Sequence, residues 1–66
     1  VKITVNGSPR DVPDRCTLEQ LVEREGLAAA PCAAELNRLL VPKAQRADTT
    51  LREGDRVELV TLVGGG

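Results

Sequence analysis

The chain has no Phe, Trp, Tyr, His or Met. Without aromatic rings no base can stack on a side-chain platform, so single-stranded nucleic acid is not an expected partner. Without histidine the chain lacks the side chain most suited to acid–base catalysis near neutral pH, and the commonest metal ligand. Basic and acidic residues nearly cancel, nine against ten, and no basic surplus marks a phosphate-binding surface. Cysteine is limited to Cys16 and Cys32. Two thiols cannot build a disulfide-rich scaffold or a four-cysteine zinc site, and their spacing is not Cys-x-x-Cys. They read as small apolar residues in a reduced protein, with a single disulfide as the other reading. No apolar run approaches the roughly 20 residues a membrane span needs. The first residues also lack the basic and apolar regions of a secretory signal. A cytoplasmic protein without a membrane or nucleic-acid partner is expected.

What is present fits one small α+β domain. Of 66 residues, 41% are hydrophobic and 29% charged, a folding composition. A domain this small buries only about 60% of its unfolded surface, which leaves no room for a large internal active-site cavity. Val1, Ile3 and Val5 alternate with Lys2, Thr4 and Asn6, the pattern of a half-buried strand. Asn6-Gly7-Ser8-Pro9 has turn chemistry, and a second strand is expected near Arg10-Asp11-Val12, ended by Pro13.

A helix is expected over residues 18–25. Thr17 and Gln20 form a capping box, Cys16 and Leu21 a hydrophobic staple, and Leu18, Leu21 and Val22 an apolar stripe. Gly26 suits the left-handed position that stops a helix. Cys32–Asn37 and Leu39–Val41 read as a third strand and its short partner, followed over Lys43–Asp48 by a polar, irregular stretch with room for one short helical turn. Glu53-Gly54-Asp55 is a turn before Arg56–Val63, the most β-prone stretch.

One helix can cover only one face of such a sheet. With the helix linking strands two and three, the first and last strands can lie side by side in parallel, which makes a β-grasp. The expected core is Ile3, Val5, Leu18, Leu21, Val22, Leu36, Val57 and Leu59. In the last strand Val57, Leu59, Thr61 and Val63 share one face, and Arg56, Glu58, Val60 and Leu62 the other. The charges mark the second face as outward. Val60 and Leu62 are then either isolated surface aliphatics or a docking patch.

Gly64, Gly65 and Gly66 follow directly. They offer no side chain for burial, so a mobile tail over 64–66 is expected after a domain over 1–63. A backbone without Cβ atoms can thread a narrow channel. A terminal carboxylate, with an ordinary pKa of roughly 3.3–3.7, is ionised and a poor electrophile at neutral pH. It becomes reactive only with an added leaving group such as an adenylate, so the tail reads as a handle presented to another protein's site.

Several segments together carry a family resemblance over nearly the whole chain: Ile3-Thr4-Val5-Asn6-Gly7, Glu35-Leu36-Asn37 with Val41-Pro42-Lys43, Glu53-Gly54-Asp55-Arg56-Val57-Glu58, and Thr61-Leu62-Val63-Gly64-Gly65-Gly66. In this order and spacing they resemble the ubiquitin-like proteins, and within them the bacterial sulfur carriers of thiazole biosynthesis, the ThiS family. The resemblance implies a carrier rather than an enzyme. Gly66 would hold the carbonyl that is adenylated and then converted to a thiocarboxylate, and Gly64 and Gly65 would give the tail access. The partners implied are an E1-like adenylyltransferase, thiazole synthase and a sulfur donor protein. ATP and magnesium would belong to the adenylyltransferase, with no cofactor or metal on this chain. Val60, Leu62 and Val63, with Arg56 and Glu58 at the rim, would form the docking surface. Three glycines stand where the family needs two. The small subunit of molybdopterin synthase shares this pattern but usually runs longer, and the compact chain favours the thiazole carriers. A ubiquitin-like modifier and a plain interaction module are the other readings.

Overall fold

The computed structural model describes residues 1–61. Expectations for Leu62, Val63, Gly64, Gly65 and Gly66, including the domain boundary after residue 63, lie outside the described residues. Strand β1, Lys2–Val5, directs Ile3 and Val5 inward. Asn6 and Gly7 then take φ of 51° and 83°, and Val5 pairs with Ser8. A two-residue loop with both φ values positive is a type I′ turn, the favoured hairpin connection and the usual place for Asn-Gly.

Strand β2, Ser8–Asp11, starts earlier than the sequence suggested, so Pro9 lies in the strand rather than the turn. Two facts allow this. β2 is an edge strand. Val1 and Val12 exchange both backbone hydrogen bonds, at 2.6 and 2.9 Å. Alternating from that pair along the register, Pro9 and Thr4 fall in a non-hydrogen-bonded pair, where the missing N–H of proline costs no ladder bond.

Helix α1, Leu18–Arg24, forms for the local reasons its sequence supplies. The Gln20 N–H donates to Thr17 Oγ1 (3.2 Å), and the Thr17 N–H donates to Gln20 Oε1 (3.0 Å). Cys16 and Leu21 are both buried, completing the staple. At the other end Gly26, at φ 77°, donates to the Glu23 carbonyl, and Leu27 donates to that of Val22. These two bonds are the Schellman arrangement, with Glu25 as C-cap.

Strands β3, Cys32–Leu36, and β4, Leu39–Leu40, form a second hairpin. Its turn is again type I′, with Asn37 at φ 52° and Arg38 at φ 71°. A 3-10 helix spans Lys43–Asp48, and strand β5 is described over Arg56–Thr61. The sheet order is β2-β1-β5-β3-β4, with β1 and β5 parallel and the other pairs antiparallel. With α1 supplying Leu18, Leu21 and Val22 to one face, this is the β-grasp arrangement.

The core differs from expectation by one residue lost and four gained. Leu36 is only half-buried, because it occupies the last β3 pair before the Asn37–Arg38 turn and stands beside the edge strand β4. Val12, Cys16, Ala34 and Leu51 join the core instead. Leu51 enters because residues 49–51 run beside the start of α1. The Leu18 N–H donates to the Thr49 carbonyl and the Leu51 N–H to that of Cys16, both at 2.8 Å. Cys16 and Cys32 are free thiols, the first buried and the second half-buried. No helix among the described residues is long and apolar enough to cross a membrane.

Arg38 gives a test of turn strain. A side chain at the second central position of a type I′ turn carries a left-handed penalty of about 1–2 kcal/mol that glycine avoids. Part of the gain is offset by the looser unfolded chain that glycine brings. Arg38→Gly is therefore expected to raise stability by about 1 kcal/mol, or roughly 4–8 °C in melting temperature for a domain of this size. Calorimetry showing an unchanged or lower melting temperature would mean that the Arg38 side chain compensates its own strain.

Candidate functional site

The alternation of β5 holds in the structure. Val57 and Leu59 are buried, whereas Arg56, Glu58 and Val60 are exposed on the opposite face. Thr61 shares the inner row but is exposed, since it stands with Cys32 in the last described pair of the β3–β5 ladder. Three of the candidate docking residues, Arg56, Glu58 and Val60, are thus brought together on the outer face. The other two docking candidates, Leu62 and Val63, and the tail residues Gly64, Gly65 and Gly66 lie beyond the described residues.

The outer face is extended by a residue that sequence reasoning passed over. Leu40 pairs with Glu35, and Glu35 pairs with Glu58, so these three side chains form one cross-sheet row. Leu40 is 66% exposed and Val60, paired with Ala33, is 54% exposed. Apolar surface therefore lies on both sides of the Glu35–Glu58 pair. The predicted short strand at Leu39–Val41 was the available signal, but register alone decides that Leu40 faces outward. Leu39, opposite Leu36, lies on the other row of the sheet edge.

Glu35 and Glu58 stand directly opposite each other, an arrangement that is mildly destabilising for like charges. Among the described residues the ion pair is Arg10–Glu25, at 3.3 Å, so neither glutamate takes part in one there. A shallow depression beside them is lined by Thr4, Asn6, Gly7, Arg56, Val57 and Glu58. No group of three or more Cys, Asp or Glu side chains among the described residues is placed to hold a metal ion.

Two asparagines grip β5 from its two sides. Asn37 Oδ1 accepts from the Arg56 N–H (2.9 Å), and Asn37 Nδ2 donates to Asp55 Oδ1 (3.0 Å). Asn6 Nδ2 donates to the Leu59 carbonyl (3.1 Å), and Asn6 Oδ1 accepts from the Leu59 N–H (2.9 Å). Behind the sheet, the buried Arg46 donates from Nη2 to the Cys32 carbonyl (2.6 Å), while its Nε has no partner. The described end of β5 is thus held on one side by a side-chain amide and on the other by a ladder that Arg46 braces.

The family model of the ThiS family matches residues 3–66. The chain is 34% identical over 64 residues to the sulfur carrier protein ThiS of Thermus thermophilus, covering 97% of this chain and 98% of that protein. It is 33% identical over 66 residues to a thiazole synthase of Paramagnetospirillum magneticum. That match covers the whole of this chain but only 20% of the synthase, so the chain spans about a fifth of that relative's length. Among solved structures, the crystal structure of the thiamine biosynthesis protein ThiS from Geobacter metallireducens superposes with a TM-score of 0.84 at 30% identity, covering all of both chains. The β-grasp order, the parallel β1–β5 pair and a family match running through the terminal glycines place this chain in the ThiS family of ubiquitin-like proteins.

Proposed function

We propose that this chain is a sulfur carrier for thiazole formation in thiamin biosynthesis, acted on by enzymes rather than acting as one. The observation that carries the reading is the end-to-end match to a sulfur carrier protein, on a fold whose inter-strand ladder runs to within five residues of Gly66. On an E1-like adenylyltransferase the Gly66 carboxylate attacks the α-phosphate of ATP, and pyrophosphate leaves. Sulfide-level sulfur delivered by a donor protein attacks the acyl carbon of the resulting adenylate and displaces AMP, which leaves a thiocarboxylate for thiazole synthase to consume. ATP and magnesium belong to the adenylyltransferase. Gly64 and Gly65 let the backbone enter a channel where any Cβ would clash. The similarity to part of a thiazole synthase supports that enzyme as a partner. These steps belong in the cytoplasm.

Docking is assigned to the outer face. Val60 and Leu40 supply apolar contact, Arg56 and Glu58 the polar rim, and Leu62 and Val63 continue the surface toward the tail. A basic partner surface would relieve the Glu35–Glu58 repulsion, so docking there gains from a cost the free protein carries. Val60→Asp is expected to leave the melting temperature within a few degrees, since exposed substitutions usually change stability by no more than about 0.5 kcal/mol. It is expected to weaken binding to the adenylating enzyme by at least about tenfold, in the range of a central interface residue. Unaltered affinity in titration calorimetry would return Val60 to ordinary surface.

Intact-mass spectrometry tests the function itself. With the cognate adenylating enzyme, ATP and a sulfur donor, the chain is expected to gain one sulfur in place of one oxygen, localised to Gly66. A ladder of larger conjugates would identify a protein modifier instead. No change in mass would leave an interaction module.

A further inference from the structure

Beyond Asn6 the backbone of β1 no longer runs alongside β5. The Asn6 N–H makes the last backbone bond, to the Val57 carbonyl (2.9 Å), and at φ 51° the chain then turns away into the β1–β2 hairpin. Leu59 is the next β5 residue whose N–H and carbonyl point to that side. Its two groups are met by the Asn6 side chain, at 2.9 and 3.1 Å. A side-chain amide holds a donor and an acceptor side by side, as a peptide group does, and so replaces a missing strand residue. The type I′ turn does not require this residue. Glycine or aspartate serves the turn as well, but glycine offers neither group and aspartate no donor.

We propose that Asn6 is a positioning residue for the reactive end, an inference that rests on the reading of Gly66 as the group adenylated. By completing the ladder at Leu59, Asn6 fixes the course on which β5 approaches Thr61. Gly66 lies five positions beyond Thr61, at most about 18 Å of extended chain. Once the tail is held extended in the channel of an adenylating enzyme, a tilt of about 10° at its base would move the far end by roughly 3 Å, whereas a displacement of about 1 Å can cost 10²-fold in rate. The outer face sets where the domain docks. The Asn6 amide sets how the chain departs from it, so its loss falls on turnover rather than on docking.

The test pairs hydrogen exchange with kinetics. Asn6→Gly keeps the turn and removes the amide. Asn6→Asp keeps the size and the turn but sets a carboxylate oxygen against the Leu59 carbonyl. In both variants the Leu59 amide is expected to exchange faster, while buried helix amides keep their protection. In pyrophosphate exchange with the cognate adenylating enzyme, kcat is expected to fall at least about tenfold with KM within about twofold, the signature of misplacement rather than lost docking. Wild-type kcat in a folded variant whose Leu59 amide has lost protection would overturn the proposal, because the clamp would then be structural only. Asn6→Asp decides the matter if Asn6→Gly does not fold. A variant lacking Gly66 is run alongside. If it exchanges normally, the reading of Gly66 fails and this inference with it. If it is inactive while both Asn6 variants match wild type, the positioning role alone is removed.

Discussion

Removing Gly66, or appending one alanine after it, is expected to abolish pyrophosphate exchange with the adenylating enzyme while leaving the domain folded. An added residue shifts the terminal carboxylate by about 3.3–3.6 Å. In-line attack on the α-phosphate needs reacting atoms about 3–3.5 Å apart and aligned, so a shift of one residue removes the reacting oxygen from range. A loss well beyond 10²-fold is expected, since that is the cost of a displacement of about 1 Å. The tail carries no core side chain, so thermal unfolding should be unchanged. Exchange at the wild-type rate from either variant would show that the terminal carboxylate is not the reactive group, and the outer face alone would define the protein as an interaction module.

Leu59→Ala is expected to have the largest effect on stability. Leu59 is 6% exposed, lies opposite the fully buried Ala34, and occupies the central strand of the sheet. Truncating a buried leucine costs about 2–5 kcal/mol, through lost transfer free energy and the cavity left behind. A domain of this kind holds about 5–15 kcal/mol in all, so much of its stability is at stake. The backbone bonds from Leu59 to Asn6 survive the substitution, which isolates the side-chain contribution. The denaturant midpoint should drop with an unchanged slope. The contrast with Val60→Asp, one residue along, follows from the two-residue period of a strand. A denaturation curve for Leu59→Ala that overlays the parent's would mean that this side chain is not part of the core.

The sequence by itself determined the elements whose causes lie within a few neighbouring residues. The Thr17–Gln20 capping box and Gly26 bound the helix to within one residue of the expected end. Asn6-Gly7 turned the first hairpin, and strict alternation along β5 separated Leu59 from Val60. The terminal glycines and the ordered motifs pointed to the family that the comparisons then showed. The tertiary structure alone decided what depends on distant partners. Pro9 could enter a strand because that strand lies at the sheet edge in a register that needs no N–H there. Leu51 is buried because residues 49–51 meet the start of the helix, and Leu36 is half-buried because it stands at a turn beside the edge strand. Leu40 lies on the outer face of the sheet through a register shared with Glu35 and Glu58. Asn6 read as a turn residue, and only the approach of Leu59, 53 positions later, made it a clamp. Periodicity, capping and turn chemistry are short-range and visible in a window of sequence. Register, edge position and long-range hydrogen bonds arise only when segments far apart along the chain are brought together.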